Sequence, residues 1–254
     1  MSILGDKRKL GLILSGQPIL VPDANVYVTQ PKIKDIVLFG EEDFFTTIQM
    51  LVDIDKFTSM VKEGNSELNI ISDFQLLLIM IEEDDTIKKM IQNLFTLIFP
   101  DYEVKTTESS LDFFANENQI VGRIHSFNFE CLQNILNDIF IPQGDTDKEP
   151  EYNPANDMAE KIAAKIKQGR EKIHAQKAAM EGTHSVFADY CSALSIGMKM
   201  DVNIFFNYTS FQLYDAYRRF FEKEQSDFYM RVSSMPMMDT SKMEVPPPWQ
   251  RNLY

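Results

Sequence analysis

The stretch Asp101-Tyr102-Glu103-Val104-Lys105-Thr106-Thr107-Glu108-Ser109-Ser110-Leu111-Asp112-Phe113-Phe114-Ala115-Asn116-Glu117-Asn118-Gln119-Ile120-Val121-Gly122 decides the fold class. Short apolar or aromatic runs at 102–104, 111–114 and 119–122 are broken by polar turns, and no helical period crosses them. The spacing predicts two or three antiparallel strands. Immediately upstream, Asp73 to Phe99 keeps a helical period. It reads as one long helix or two stacked ones, interrupted near Glu82-Glu83-Asp84-Asp85, with Leu76 to Ile81 apolar all round and therefore in the core. Immediately downstream, Phe127 to Phe140 is helical again. A short meander set among helices makes the chain α+β and mainly helical.

Further toward the N-terminus, turn signals at Ser15-Gly16-Gln17-Pro18 and Val21-Pro22-Asp23-Ala24-Asn25 divide short apolar runs. They predict a small β segment, pairing Leu10–Leu14 with Ile19–Val21 or with Val26–Val28. A helix is expected from Pro31, whose fixed φ suits a first turn. Ile33, Ile36 and Val37 share its face and Gly40 ends it. Glu41-Glu42-Asp43 then place negative charge at the start of a helix carrying Phe44, Phe45, Ile48, Leu51 and Val52.

Toward the C-terminus, Ile141 to Pro154 gathers three prolines, a glycine and charges, and reads as a linker. The organisation expected is an α+β domain over 1–141, a linker over 142–154, an all-helical segment over 155–235 and a Pro/Met-rich tail over 236–254. Between Ala155 and Glu181 the chain carries six Lys/Arg against four Asp/Glu. There Ala159, Ile162, Ile166, Gly169, Ile173, Gln176 and Met180 follow alternating three- and four-residue steps. Such a seam fits packing on its own domain or on a partner. A further helix is expected from His184 to Met198, with Phe187, Cys191, Leu194 and Met198 on one face. Another starts near Tyr208, with Thr209 or Ser210 as cap. Its stripe of Phe211, Tyr214, Tyr217, Phe220, Phe221 and Phe228 reads as core.

Charge narrows the function. The 254 residues hold 25 Lys+Arg and 38 Asp+Glu, a net −13, against the clustered positive charge on which phosphate binding depends. The segment Glu41–Ser110 alone holds 15 acidic and 5 basic residues. That excess reads as a solvated face or as a surface for a basic partner. Cys131 and Cys191 are too few for a disulfide framework and read as thiols of a reducing compartment. The apolar run Leu10–Leu14 is short for a signal sequence, and Leu76–Ile81 falls far below a membrane span of roughly 20 residues. These readings point to a protein working inside a cell, without nucleic acid or membrane.

Chemical motifs are absent. The sequence has no phosphate-binding glycine loop, no H-E-x-x-H, no C-x-x-C and no G-x-S-x-G. His125, His174 and His184 have no motif partners. Consecutive carboxylates at 82–85 on a helix diverge rather than converge on one ion. The expectation is no enzyme, no cofactor and no metal.

Two stretches carry a resemblance. Gln30-Pro31-Lys32-Ile33-Lys34-Asp35-Ile36-Val37-Leu38-Phe39-Gly40-Glu41-Glu42-Asp43-Phe44 resembles a Q-P-T-[IL]-x-[ED]-I-x-x-x-G-E-x-x-[FY] opening. Asn207-Tyr208-Thr209-Ser210-Phe211-Gln212-Leu213-Tyr214-Asp215 is similar to a late n-x-T-x-x-Q-[LF]-x-D segment. Both belong to tail assembly chaperones of long-tailed bacteriophages of Gram-positive and related bacteria. The chain departs from that pattern at Lys32 and at Val232-Ser233-Ser234-Met235-Pro236. The resemblance implies a non-enzymatic protein of the host cytoplasm, absent from the mature virion. It would bind the tape-measure protein, with the tail-tube protein as a further partner; the heptad pattern separately suggests a homo-oligomer. Ile162, Ile166, Ile173, Met180 and Trp249 are the expected partner contacts. A structural virion component, for the tail or for head completion, is the alternative.

Overall fold

The computed structural model describes residues 7–62, 71–116, 119–141, 185–234, 245–246 and 248–250. Helix α1 (Lys7–Leu14) precedes a hairpin of β1 (Ile19–Val21) and β2 (Val26–Val28). Then come α2 (Ile33–Phe39), α3 (Glu41–Val52), α4 (Ile54–Lys62), α5 (Asp73–Glu83) and α6 (Asp85–Ile98). A meander of β3 (Glu103–Thr106), β4 (Ser110–Asn116) and β5 (Gln119–His125) leads into α7 (Phe129–Phe140). The last described helices are α8 (Val186–Met198), α9 (Val202–Phe206) and α10 (Ser210–Ser233). Both sheets are antiparallel, of two and three strands. The architecture is α+β and mainly helical.

Local chemistry explains most boundaries. Ser72 and Gln75 close a reciprocal capping box at the start of α5. Asp84 interrupts the 73–99 stretch because its carboxylate accepts from the N–H groups of Thr86 and Ile87 and starts α6 anew. Gly40 ends α2 and begins α3 in a single residue, with φ 108° and ψ 114°. A side chain there would be strained.

The structure corrects several expectations. Leu10–Leu14 is helical, and β1 pairs with β2 instead. The turn signal at Ser15-Gly16 is the end of that helix. Gly16 N–H donates to Ile13 O and Gln17 N–H to Leu12 O, with Gly16 at φ 69°, a Schellman termination. Helix α2 starts at Ile33 with Lys32 as its cap, two residues after Pro31. Val37 leaves the buried face, and Ile79 interrupts the apolar run by facing solvent. Phe221 and Phe228 are exposed, whereas Tyr214 and Tyr217 on the same stripe pack against Tyr190.

One core joins the two sides of the predicted linker, which itself lies outside the described residues. Phe187, Cys191, Leu194, Phe205, Phe211 and Leu213 belong to the same buried cluster as Phe44, Leu77, Ile98 and Phe140. Aromatic edges carry the connection. Phe44 meets Phe140 at 5.3 Å, Phe45 meets Phe187 at 5.5 Å, and Phe187 meets Tyr214 at 5.9 Å. Each such pair adds about 0.5–1.5 kcal/mol beyond area burial.

The meander carries one buried charge. Asp112 on β4 faces Arg123 across the register and accepts from its Nε at 2.6 Å and Nη2 at 2.8 Å, while the Ser110 hydroxyl donates at 2.7 Å. The Arg123 hydrogen bonds hold the Asp112 carboxyl below its usual range. A depressed carboxylate stabilises the fold above its unfolded pKa, and that contribution is lost as pH falls through the folded value. Asp112→Asn is therefore expected to cost about 1–3 kcal/mol in urea unfolding at pH 7. The gap to wild type should begin to shrink below about pH 4. A gap that stays constant down to pH 3 would contradict the assignment.

Candidate partner-binding surface

Two sequence stretches separated by more than 160 positions fold into one junction. Lys32 and Thr209 form an isolated antiparallel bridge. The Ile33 N–H donates to Tyr208 O at 2.8 Å, and Lys34 Nζ donates to Asn207 Oδ1 at 3.1 Å. The first-turn N–H groups of a helix have no partner within it, so Tyr208 supplies what α2 lacks.

Each motif position in the late stretch has a structural task. Thr209 caps α10 by accepting from Gln212 N–H, and the Gln212 side chain returns the bond by accepting from Thr209 N–H at 2.9 Å. Its amide nitrogen also donates to Leu14 O at 2.7 Å, satisfying the last carbonyl of α1. Asp215 accepts from Arg219 Nε at 3.0 and 3.1 Å.

The early stretch behaves likewise. Gln30, buried, donates to Gln17 O at 2.8 Å. Ile33, Ile36 and Phe44 are buried completely. The Glu41 carboxylate reaches across to α8, accepting from the Ser185 hydroxyl and from Val186 N–H at 3.0 Å. It thus places negative charge at the N-terminus of α8 as well as in the first turn of its own helix.

With the motif residues committed to the fold, the side chains between them face outward. Leu38 is 85 % exposed, and Val37, Val186 and Ile204 are also open to solvent. Lys34, Val37 and Leu38 follow one side of α2 by helical spacing, and Glu41 opens α3 after the break at Gly40. Lys34 touches the end of α9 and Glu41 touches the start of α8, so Val37 and Leu38 stand between those contacts. Ile204 lies one turn before Asn207. In the last turn of α8, Ile196 is 77 % exposed, and Met200 follows in the connection to α9. These exposed apolar side chains on α2, α8 and α9 are the candidate protein-interaction residues of the described chain. They include no general acid, nucleophile or anion cradle. The sequence reading puts Val37 on the buried face and does not single out Leu38, Val186 or Ile204; α9 is too short to show a period.

Of the expected partner contacts, Ile162, Ile166, Ile173 and Met180 lie outside the described residues. Trp249 is half-buried on a groove of about 740 Å³ lined by Leu14, Met198 and Phe220, and Arg219 Nη1 donates to its carbonyl at 3.2 Å. It therefore sits against its own chain. Cys191 is fully buried, and desolvation, then the Glu41 charge, pushes its thiol up to about 11. A thiol so protonated is unreactive at neutral pH. Cys131 is half-buried. The His125 ring stacks on Phe127 at 5.3 Å. Among the described residues, no three His, Cys, Asp or Glu side chains converge to hold a metal ion, and no helix is long and apolar enough to cross a membrane.

Comparison with known proteins finds no matching family model, curated protein or solved structure.

The Glu41 contact generates a direct test. Glu41→Ala removes the acceptor for the first turn of α8 and should cost about 1–2 kcal/mol. Amide exchange should accelerate at Val186 and Phe187 while the Ile48–Leu51 turn of α3 keeps its protection. Unchanged exchange at both positions would show that Glu41 does not hold α8.

Proposed function

We propose that this protein is a tail assembly chaperone of a long-tailed bacteriophage. It binds the tape-measure protein in the host cytoplasm and keeps it soluble until tube subunits assemble around it, and it takes no part in the finished particle. The observation that carries this reading is the junction itself. The two stretches that resemble the chaperone pattern meet through the Lys32–Thr209 bridge, the Ile33 N–H to Tyr208 O bond and the Lys34–Asn207 contact, while Gln30 and Gln212 tie the same stretches to Gln17 and Leu14. Chance matches scattered along a chain have no reason to meet in space.

The surface chemistry supports the same reading. A tape-measure protein is a long helical chain that exposes apolar surface before the tube encloses it. Val37, Leu38, Val186, Ile196 and Ile204 offer exposed apolar side chains of the kind that cover such a helix by packing. The net charge of −13 keeps many bound copies apart and the complex in solution.

Co-expression with the tape-measure protein of the same genome tests the proposal. The soluble fraction of that protein should rise several-fold with the wild-type chain. It should fall back with a Leu38→Asp, Ile204→Asp double variant whose thermal unfolding is unchanged, since both side chains are already exposed. No gain in solubility with wild type would overturn the reading. Abundance of the chain in purified particles would favour a structural virion component instead.

A further inference from the structure

Helix α10 runs for 24 residues, from Ser210 to Ser233, and its two halves have different surroundings. On one side of the first half, Tyr214 and Tyr217 are covered by Tyr190 of α8, at 5.6 and 4.3 Å between ring centroids. The same side continues by steps of four and three residues through Phe221, Glu224, Phe228 and Arg231. There it is uncovered: Phe221 is 55 % and Phe228 61 % exposed, with Val232 buried at the margin.

The charges of this half sort into two sets. Glu222 pairs with Arg218, and Lys223 pairs with Asp227, both one helical turn apart. Glu224 and Arg231, the charged members of the exposed stripe, have no ion-pair partner among the described residues. They are opposite in sign, seven residues apart, and flank Phe228. Seven residues of helix rise about 10 Å, two turns, so both project to the same side.

The geometry points to a second copy of this chain as the occupant of the stripe, in an antiparallel pairing of the two α10 helices centred near Asp227 and Phe228. Such a contact is isologous, so every interaction occurs twice. It brings Glu224 to Arg231 of the second copy and Arg231 to Glu224 of the second copy, and it covers both Phe228 rings between those pairs. A parallel, in-register pairing sets Glu224 on Glu224 and Arg231 on Arg231, which repel. The charge pattern therefore selects the antiparallel arrangement. The contact does not use Leu38 or Ile204, so it stands or falls independently of the tape-measure reading.

Sedimentation velocity of the full chain over about 1–100 µM reads the association directly. Wild type should shift from monomer to dimer with concentration, and Phe228→Glu should stay monomeric at every concentration with an unchanged circular dichroism spectrum. Glu224→Arg and Arg231→Glu, each alone, should weaken the dimer about tenfold, because each creates two like-charge contacts. The double exchange, Glu224→Arg with Arg231→Glu, should recover the wild-type constant to within a few-fold. A wild-type chain that stays monomeric throughout would overturn the inference, as would a dimer that survives Phe228→Glu. Failure of the double exchange to dimerise better than either single variant would also overturn it.

Discussion

The hydrogen bond from Ile33 N–H to Tyr208 O is the tie on which the arrangement of the molecule depends. It joins residues 175 positions apart, and it does so at the first turn of a helix, where a backbone donor has no partner of its own. Other long-range bonds follow the same rule. Gln212 donates to Leu14 O at the end of α1, Gln133 donates to Leu51 and Val52 O at the end of α3, and Thr29 N–H donates to Ile98 O at the end of α6. Glu41 does the converse, accepting from the start of α8. A chain of ten described helices has many unsatisfied ends, and these distant groups supply partners for them. The satisfaction of helix ends and the assembly of tertiary structure are here the same event.

Packing reinforces those ties. Phe44 contacts Phe39, Phe45 and Phe140, and the row passes through Phe187 to Tyr214 and Tyr190. The hydrogen bonds set position, since their net worth is only about 0.5–1.5 kcal/mol each. Burial of the aromatic row supplies the larger stabilisation, roughly 1.5–3 kcal/mol for each Phe fully withdrawn from water. Neither suffices alone. Without the end-to-end bonds the rings have no fixed register, and without the rings the bonds would compete poorly with water.

Much of this was legible in the sequence wherever the signal was local. The meander over Glu103–His125, the break at Asp84, the cap at Thr209 and the stop at Gly40 all rest on residues whose preferences act within four positions. The errors share an origin. Leu10–Leu14 and the Ser15-Gly16 turn look alike whether the apolar run is a strand before a hairpin or a helix before a Schellman stop. Helix α9, with five residues, shows no period. The aromatic stripe of α10 is continuous in sequence, but Tyr190 of α8 covers only Tyr214 and Tyr217 of it, and Phe228 is exposed while Phe211 is buried. The candidate residues were hidden for the same reason: they come from α2, α8 and α9, which are distant in sequence and joined by contacts such as Ile33–Tyr208, Lys34–Asn207 and Glu41–Val186.

The division of labour within the junction bears on what a shared motif can mean. Gln30, Ile33, Ile36, Gly40, Glu41, Thr209 and Gln212 are occupied by the fold, through burial, a special backbone angle or bonds to helix ends. A substitution at any of them is felt first as lost stability. Val37, Leu38 and Ile204 make no such contribution and are free to match a partner. Sequence similarity at the first set therefore speaks to how the chain folds, whereas the second set is not constrained by the fold. The Leu38 side chain, 85 % exposed in a molecule of net charge −13, is one the fold itself does not use.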